Sequence, residues 1–113
     1  MKTVQTPGGP IVVLEDENLQ IRDAQTFLEI MYSAGGNTLV IRKENLDPSF
    51  FDLKSRLAGE ILQKVSNYRV RLIIIGDFSG ISSKSLHDFI SESNRSGRVV
   101  FADTLDHAIA LLK

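Results

Sequence analysis

The chain has 113 residues, a formal net charge of −1 and 42% hydrophobic residues. This length corresponds to one domain with its own core. The absence of cysteine excludes disulfides, zinc–thiolate sites and thiol catalysis. The near-neutral charge gives no electrostatic case for nucleic acid binding. No apolar run is long enough to span a membrane and residues 1–10 lack the features of a secretory signal, so we expect a cytoplasmic protein.

The N-terminal part of the chain is expected to contain a β-hairpin. Residues 1–10 are predicted to be loosely ordered or to add an edge strand, and residues 11–113 to form a single α/β domain. Residues 11–15 form a short, mainly apolar run, and residues 19–22 alternate between apolar and polar. The Asp-Glu-Asn turn at residues 16–18 lies between them, which predicts that the two runs pair as a hairpin.

A helix, a strand and the longest helix of the chain are predicted to follow. Asp23 is a suitable N-cap for the first helix, and Gly35 can end it in the left-handed conformation. Residues 38–41 are predicted to form a strand. Asp47 and Pro48 are suited to begin the longest helix. Its expected buried stripe consists of Phe50, Leu53, Leu57, Ile61, Leu62 and Val65.

The last third of the chain has a strand–helix–strand–helix pattern. Residues 70–75 include three consecutive isoleucines, which predicts a strand that is covered on both faces. Ser82 or Ser83 is expected to cap the next helix and Gly97 to end it. Thr104 is expected to cap the final helix. The order β-β-α-β-α-β-α-β-α therefore predicts a single-domain α/β fold: a mixed, mostly parallel five-strand sheet with four helices.

Several sequence segments resemble those of a known family. FFDLKSRLAGEILQKVSNYR, RLIIIGDF, SKSLHDFISESNRSGRVVF and DHAIALL occur in this order, and together they resemble a bacterial domain-of-unknown-function family, number 4180, from about Leu19 onward. The order of elements resembles the STAS fold of anti-sigma-factor antagonists, and more closely the STAS-like lipid-binding-type domains, which implies a STAS-like topology. The family has no established activity, so the resemblance assigns no functional residue.

The loop after the central strand, residues 76–85, is the candidate ligand- or partner-binding site. It follows a strand end and leads into a helix N-terminus, which is a favourable position for an anion. The alternative is that its serines cap the helix and its glycines form the turn. The candidate residues are Asp77, Ser79, Ser82, Ser83, Lys84 and Ser85.

Two serines are candidate phospho-acceptors. The Asp-Ser-Ser-Gly word of STAS antagonists is absent, and the corresponding residues 45–52 contain Ser49 as their only hydroxyl. Ser83 is the second candidate. His87 lies four residues after Ser83 and could face it on a helix, but a catalytic triad needs residues that converge from different elements. We therefore predict no catalytic residue, and the two histidines lack metal-ligand spacing, so we predict no metal and no cofactor.

A charged and amidic region near the end of the longest helix is interpreted either as a solvated face or as a partner-binding surface or anion pocket. It consists of Lys54, Arg56, Glu60, Lys64, Asn67, Tyr68, Arg69 and Arg71.

The predicted function is a non-enzymatic regulatory or protein-interaction module of the bacterial cytoplasm, with an unknown protein partner. The alternative is a small-molecule or lipid-binding domain with a pocket between the longest helix and the sheet, which would take a small anionic or apolar ligand. A homodimer is also left open.

Overall fold

The five strands lie in one sheet in the order in which they occur in the sequence. The computed structural model describes all residues, Met1–Lys113. The strands are β1 (Lys2–Thr6), β2 (Gly9–Val13), β3 (Thr38–Arg42), β4 (Arg71–Ile75) and β5 (Val99–Ala102). β1 is antiparallel to β2, and β2 to β5 are parallel. The predicted mixed, mostly parallel five-strand sheet is confirmed.

Four helices accompany the sheet, as predicted. They are α1 (Ala24–Ala34), α2 (Leu57–Tyr68), α3 (Lys84–Ser96) and α4 (Leu105–Leu111). Asp23 caps α1 through the amide of Thr26, and Thr104 caps α4. None of the helices has the length and apolarity needed to cross a bilayer.

The hairpin lies earlier in the chain than the sequence predicted. β1 and β2 pair around the turn at residues 7–8, whereas residues 19–22 contribute only an isolated bridge between Ile21 and Leu46. The prediction that residues 11–15 pair with residues 19–22 is therefore wrong. β2 is already paired on both sides, with β1 and β3.

Asn45 holds residues 16–21, which include most of the predicted second hairpin strand. Its side chain is 1% exposed, and its amide nitrogen donates to the carbonyls of Asp16 (3.0 Å) and Leu19 (2.9 Å). Its amide oxygen accepts from the backbone nitrogen of Arg42 at 3.0 Å. These bonds satisfy the buried amide and hold residues 16–21 as a loop against the end of β3.

The helix predicted to begin at Asp47 is interrupted. Asp47 caps a short 3-10 turn, Pro48–Phe51, and a second turn, Leu53–Ser55, follows before α2 begins. Arg56 takes the left-handed conformation (φ 68°) between that turn and α2, which breaks the helical path. The longest helix is therefore α3, with 13 residues, and not α2, with 12.

The helices cover the two faces of the sheet unequally. Because each parallel strand is added on the same side of the previous one, the right-handed crossovers place α1, α2 and α3 on one face. Phe27, Phe50 and Ile61 are fully buried there. The short α4 packs on the other face, where Ala108 joins Ile73 in the second core.

This topology gives the sheet two chemically different ends. At the carboxyl edge, β2 to β5 end and the loops 14–23, 43–56, 76–83 and 103–104 begin. At the amino edge, β3, β4 and β5 begin, and α1, α2 and α3 end. The side chains at these two edges supply the candidate sites.

The outer edge of β5 is protected by a side chain. The amide of Asn94 in α3 donates to the carbonyl of Phe101 (3.1 Å) and accepts from its backbone nitrogen (2.7 Å). The side chain thus pairs with β5 as a neighbouring strand would, which blocks this edge against pairing with another chain.

Candidate functional site

The predicted site residues of the loop at residues 76–85 are all exposed at the carboxyl edge. A carboxylate oxygen of Asp77 accepts from the hydroxyl of Ser79 (2.6 Å) and from its backbone nitrogen (2.9 Å). These two bonds lower the pKa of Asp77, and the charge of Lys43 adds to the effect. The carboxylate is therefore engaged within its own turn.

The serines near the start of α3 differ in their roles. The hydroxyl of Ser83 accepts from the backbone nitrogen of Leu86 (3.2 Å), so Ser83 is the helix cap. Lys84 forms an ion pair with Asp88 at 2.8 Å. The hydroxyls of Ser82 and Ser85 make no hydrogen bond within the chain and face solvent. Capping thus accounts for Ser83, and turn formation accounts for Ser79.

Lys43 holds this loop from the turn that follows β3, and sequence reasoning missed it. Its ammonium donates to the carbonyl of Asp77 (2.9 Å) and lies 5.8 and 5.4 Å from the ring centroids of Phe51 and Phe78. A Cβ at Gly76 would come within 2.6 Å of the Cβ of Lys43. The sequence signal was indirect, because residues that follow parallel neighbouring strands meet at one edge.

Ser49 makes the same kind of turn as Ser79. Its hydroxyl donates to the carboxylate of Asp47 at 2.5 Å, and its backbone nitrogen donates to the same oxygen at 3.1 Å. These bonds lower the pKa of Asp47. Ser49 is half-buried, so access to its hydroxyl requires this turn to open.

The histidines do not assemble a reactive group with the serines. His87 places Nε2 at 2.8 Å from the carbonyl of Ile81, whereas the hydroxyl of Ser83 is bonded to a backbone amide. His107 pairs through Nδ1 with the carboxylate of Asp103 at 3.2 Å. No three side chains of the types that bind metals come together.

At the amino edge, two tyrosines stand over an apolar groove. Tyr32 at the end of α1 is 91% exposed, and Tyr68 at the end of α2 is 60% exposed. The groove between them has a volume of about 370 Å³. We call it the tyrosine groove, and it is lined by Leu28, Met31, Tyr32, Gly36, Tyr68 and Val70.

Next to this groove is a pocket lined by three arginines, two from the connection between α2 and β4 and one from the residue before β5. Its volume is about 630 Å³, and it shares Val70 with the tyrosine groove. Arg69 caps α2, Arg71 begins β4, and Arg98 directly precedes β5. We call it the basic pocket, and it is lined by Asn37, Ser66, Arg69, Val70, Arg71, Arg98 and Lys113.

The basic pocket contains only part of the charged region that the sequence singled out. Arg69 and Arg71 meet here, while Lys54, Arg56, Glu60 and Lys64 lie outside the pocket. Arg98 was missed, although its position just before a parallel strand was the available signal, since parallel strands begin at one edge.

A third opening lies between α2 and α3. Its volume is about 560 Å³, and Ser66 and Arg98 belong both to it and to the basic pocket. Its apolar lining consists of Leu62, Val65, Phe89 and Val99. Directly between α2 and the sheet, in contrast, Ile61, Leu72 and Ile74 are 0% exposed and fill the space.

Comparison with known proteins gives a family and no characterised relative. No curated protein and no solved structure matched the chain. Residues 7–112 match the family described as Domain of unknown function (DUF4180). The match covers nearly the whole chain and includes both edges of the sheet. The chain therefore belongs to the domain-of-unknown-function family 4180.

Proposed function

We propose that this chain is a non-enzymatic regulatory or protein-interaction module of the bacterial cytoplasm, with a STAS-like architecture. The observation that carries the proposal is the tyrosine groove. A tyrosine that is 91% exposed contributes little to packing the fold. Aromatic side chains and methionine are enriched in the centres of protein interfaces. Tyr32, Tyr68 and Met31 thus provide the composition of a binding surface.

The partner that fits is a protein segment that presents an apolar side chain. Leu28, Met31 and Val70 line an apolar groove. The tyrosine rings can close over an inserted side chain while their hydroxyls remain in water. Arginines of the adjacent basic pocket favour a segment that also carries negative charge.

The loop at residues 76–85 is a second contact surface in this proposal. Hydrogen bonds within the loop hold Asp77, Ser79 and Ser83 in place, and a rigid surface loses less entropy when it binds. The residues offered for contact are Asp77, Ser79, Ser82, Ser83, Lys84 and Ser85.

Phosphorylation would have opposite effects at the two candidate serines. A phosphate on Ser83 would sit at the start of α3, where the helix dipole favours negative charge. A phosphate on Ser49 would sit beside the carboxylate of Asp47 and repel it. Regulation through Ser83 would therefore preserve the fold, whereas regulation through Ser49 would open the turn at residues 47–49.

A second candidate function is small-molecule or lipid binding, and the opening between α2 and α3 favours it. Its volume of about 560 Å³ lies within the range of ligand pockets, roughly 300–1,000 Å³. Four apolar residues line one part of it, and Arg98, Glu92 and three serines line the rest. The ligand of this candidate is amphipathic, with an apolar body and an anionic end.

The test compares capture of partners by three forms of the protein in extracts of its own host, followed by reconstitution with the purified partner. The forms are the wild type, the Tyr32→Ser/Tyr68→Ser variant and the Asp77→Ala/Ser79→Ala/Ser83→Ala variant. We expect the tyrosine variant to bind the purified partner at least about tenfold more weakly, as for the loss of one interface anchor. Unchanged binding by both variants would refute the proposal.

Native mass spectrometry and sedimentation separate the other outcomes. An added mass that is lost on denaturation would favour the small-molecule candidate. Self-association that depends on Tyr32 would replace the separate partner with a second copy of this chain. A phosphate that maps to Ser83 would support the regulatory form of the proposal.

A further inference from the structure

We propose that the basic pocket binds an oxyanion, a carboxylate or a phosphate, through the guanidinium groups of Arg71 and Arg98 with Arg69 beside them. This inference goes beyond the proposed interaction, because it does not require the tyrosine groove to hold a partner.

No aspartate or glutamate side chain neutralises the arginines of this pocket. The four ion pairs of the molecule involve other residues, and no aspartate or glutamate lines the pocket. The guanidinium groups of Arg69 and Arg98 have no hydrogen-bond partner in the protein. General basicity does not explain this cluster, because the chain has 14 acidic and 13 basic residues. An external anion would provide the missing counter-charge.

Arg71 is already held in place. Its Nε donates to the hydroxyl of Thr38 at 3.0 Å, and Thr38 is 1% exposed at the start of β3. One terminal nitrogen lies 3.5 Å from a main-chain oxygen of Lys113, the last residue of the sequence. Further N–H donors of the guanidinium remain free. An anchored guanidinium loses less entropy on binding than a mobile one, which favours recognition at this position.

The helix ends at this edge do not account for the arginines. Cations are attracted to helix C-termini, but the ammonium of Lys113 already donates to the carbonyl of Arg95, near the end of α3, at 2.6 Å. Lys113 therefore supplies the cation at the C-terminus of α3, and Arg98 is not needed for that role.

Arg69 has a backbone conformation that glycine would adopt with less strain. α1 and α3 each end in a left-handed residue, and in both cases it is glycine, Gly35 and Gly97. α2 ends in the same conformation at Arg69, with φ 54°. A residue with a Cβ is strained there. Because Arg56 takes the same conformation outside the pocket, the strain at Arg69 does not itself indicate a site, but the two residues form a matched pair for a test.

The chemistry of the lining residues defines the ligand class. Guanidinium groups match the oxygens of carboxylate and phosphate with paired hydrogen bonds, and Ser66 and Asn37 add neutral donors. The oxyanion can be free in solution or carried by an acidic side chain of a protein segment in the tyrosine groove, which shares Val70 with the pocket.

The experiment is a titration with inorganic phosphate at constant ionic strength, followed by the NMR signals of backbone amides and arginine Nε–Hε groups. We expect saturable shifts at residues 66–71 and 96–98. Arg98→Gln should weaken binding about tenfold, as for the loss of a charge-assisted hydrogen bond. Arg22→Gln, which removes an exposed arginine outside the pocket, should leave it unchanged. Shifts that do not saturate, or equal shifts at Arg22, would overturn the proposal.

A second pair of variants separates binding from stability. Arg56 and Arg69 are both left-handed and flank α2, but only Arg69 lines the basic pocket. Arg56→Gly and Arg69→Gly should both raise Tm, because glycine removes the strain. Only Arg69→Gly should weaken phosphate binding. An equal affinity in the two variants would remove Arg69 from the site.

A glutamate-rich peptide, titrated in the same way, identifies the source of the anion. Tighter binding of the peptide than of phosphate, with dependence on both Arg98 and Tyr32, would indicate a carboxylate carried by a partner. Tighter binding of phosphate, independent of Tyr32, would indicate a free phosphate and would leave the interaction proposal to its own test. The absence of saturable binding by either probe would refute the site.

Discussion

The two edges of the sheet are both rich in polar side chains, but they use them differently. At the carboxyl edge, Asp77 is bonded to Ser79, and Lys43 is bonded to the carbonyl of Asp77. At the amino edge, the guanidinium groups of Arg69 and Arg98 have no partner, and Tyr32 is almost fully exposed. The difference is that Asp77, Ser79 and Lys43 are engaged in bonds within the fold, whereas Arg69 and Arg98 are free to bind a ligand.

The carboxyl edge is the usual binding edge of open α/β sheets. Here the 3-10 turns before α2 bring Phe51 to this edge, where its ring lies 6.2 Å from that of Phe78. At the amino edge, α1, α2 and α3 end, and Lys113 packs beside Gly97, while no aromatic cluster covers the arginines. We therefore assign fold maintenance mainly to the carboxyl edge and ligand recognition mainly to the amino edge.

The largest expected effect is at Asn45. Asn45→Asp removes two buried hydrogen-bond donors and places a carboxylate against the carbonyls of Asp16 and Leu19. We expect the free energy of unfolding to fall by about 3–5 kcal/mol, as for an uncompensated buried charge. Urea denaturation measures this. Asn18→Asp, an exposed change in the same loop, is the control and should change it little. A loss below about 1 kcal/mol would contradict a structural role for Asn45.

Gly76 provides the next test, of the packing at the carboxyl edge. Gly76→Ala would place a Cβ within 2.6 Å of Lys43 Cβ, so the loop or β3 must shift. We expect a loss of about 1–3 kcal/mol, typical of overpacking. Gly80→Ala is the matched control, because a Cβ there meets nothing within 4 Å. Equal stability of the two variants, measured by urea denaturation, would show that the approach of Lys43 is not tight.

At the amino edge, a substitution should raise the stability of the fold and not lower it. Arg69→Gly should raise the free energy of unfolding by about 1 kcal/mol, because the residue is left-handed. Phosphate affinity should fall in the same variant. A protein that becomes less stable and keeps its phosphate affinity would contradict the distinction between the two edges.

The smallest expected effect is on the pH dependence of the free energy of unfolding. Hydrogen bonds from Ser79 and Ser49 lower the pKa values of Asp77 and Asp47 in the folded chain below their ordinary 3.8. The stability that these bonds contribute is present above about pH 4 and is lost as the pH falls through the lowered pKa values. Asp77→Asn should reduce this loss in urea denaturation series at pH 2–5. A pH dependence identical to that of the wild type would show that the turn contributes nothing to stability.

Local sequence rules predicted the ends of α1, α3 and α4 well, whereas α2 begins at Leu57 and not at Asp47. Asp23, Ser83 and Thr104 are caps, and Gly35 and Gly97 take the left-handed conformation. Each of these features depends on residues within one turn of helix. β3, β4 and β5 also follow from local patterns, because continuous apolar runs favour buried parallel strands, whereas β1 was expected only as an alternative to a loosely ordered segment.

The failures came from contacts between residues distant in sequence. The second hairpin strand is replaced by a loop because Asn45 reaches back to Asp16 and Leu19. Arg71 and Arg98 meet only because β4 and β5 begin at the same edge. Whether an arginine is paired depends on the acidic residues brought near it, which a single sequence does not specify.

The measurement that tests the central claim most directly is a phosphate titration of the wild-type protein by two-dimensional NMR at constant ionic strength. The account predicts saturable shifts at the amino edge, in residues 66–71 and 96–98. Saturable shifts confined to the carboxyl edge, in residues 76–87, would contradict it and return the binding site to the loop after β4.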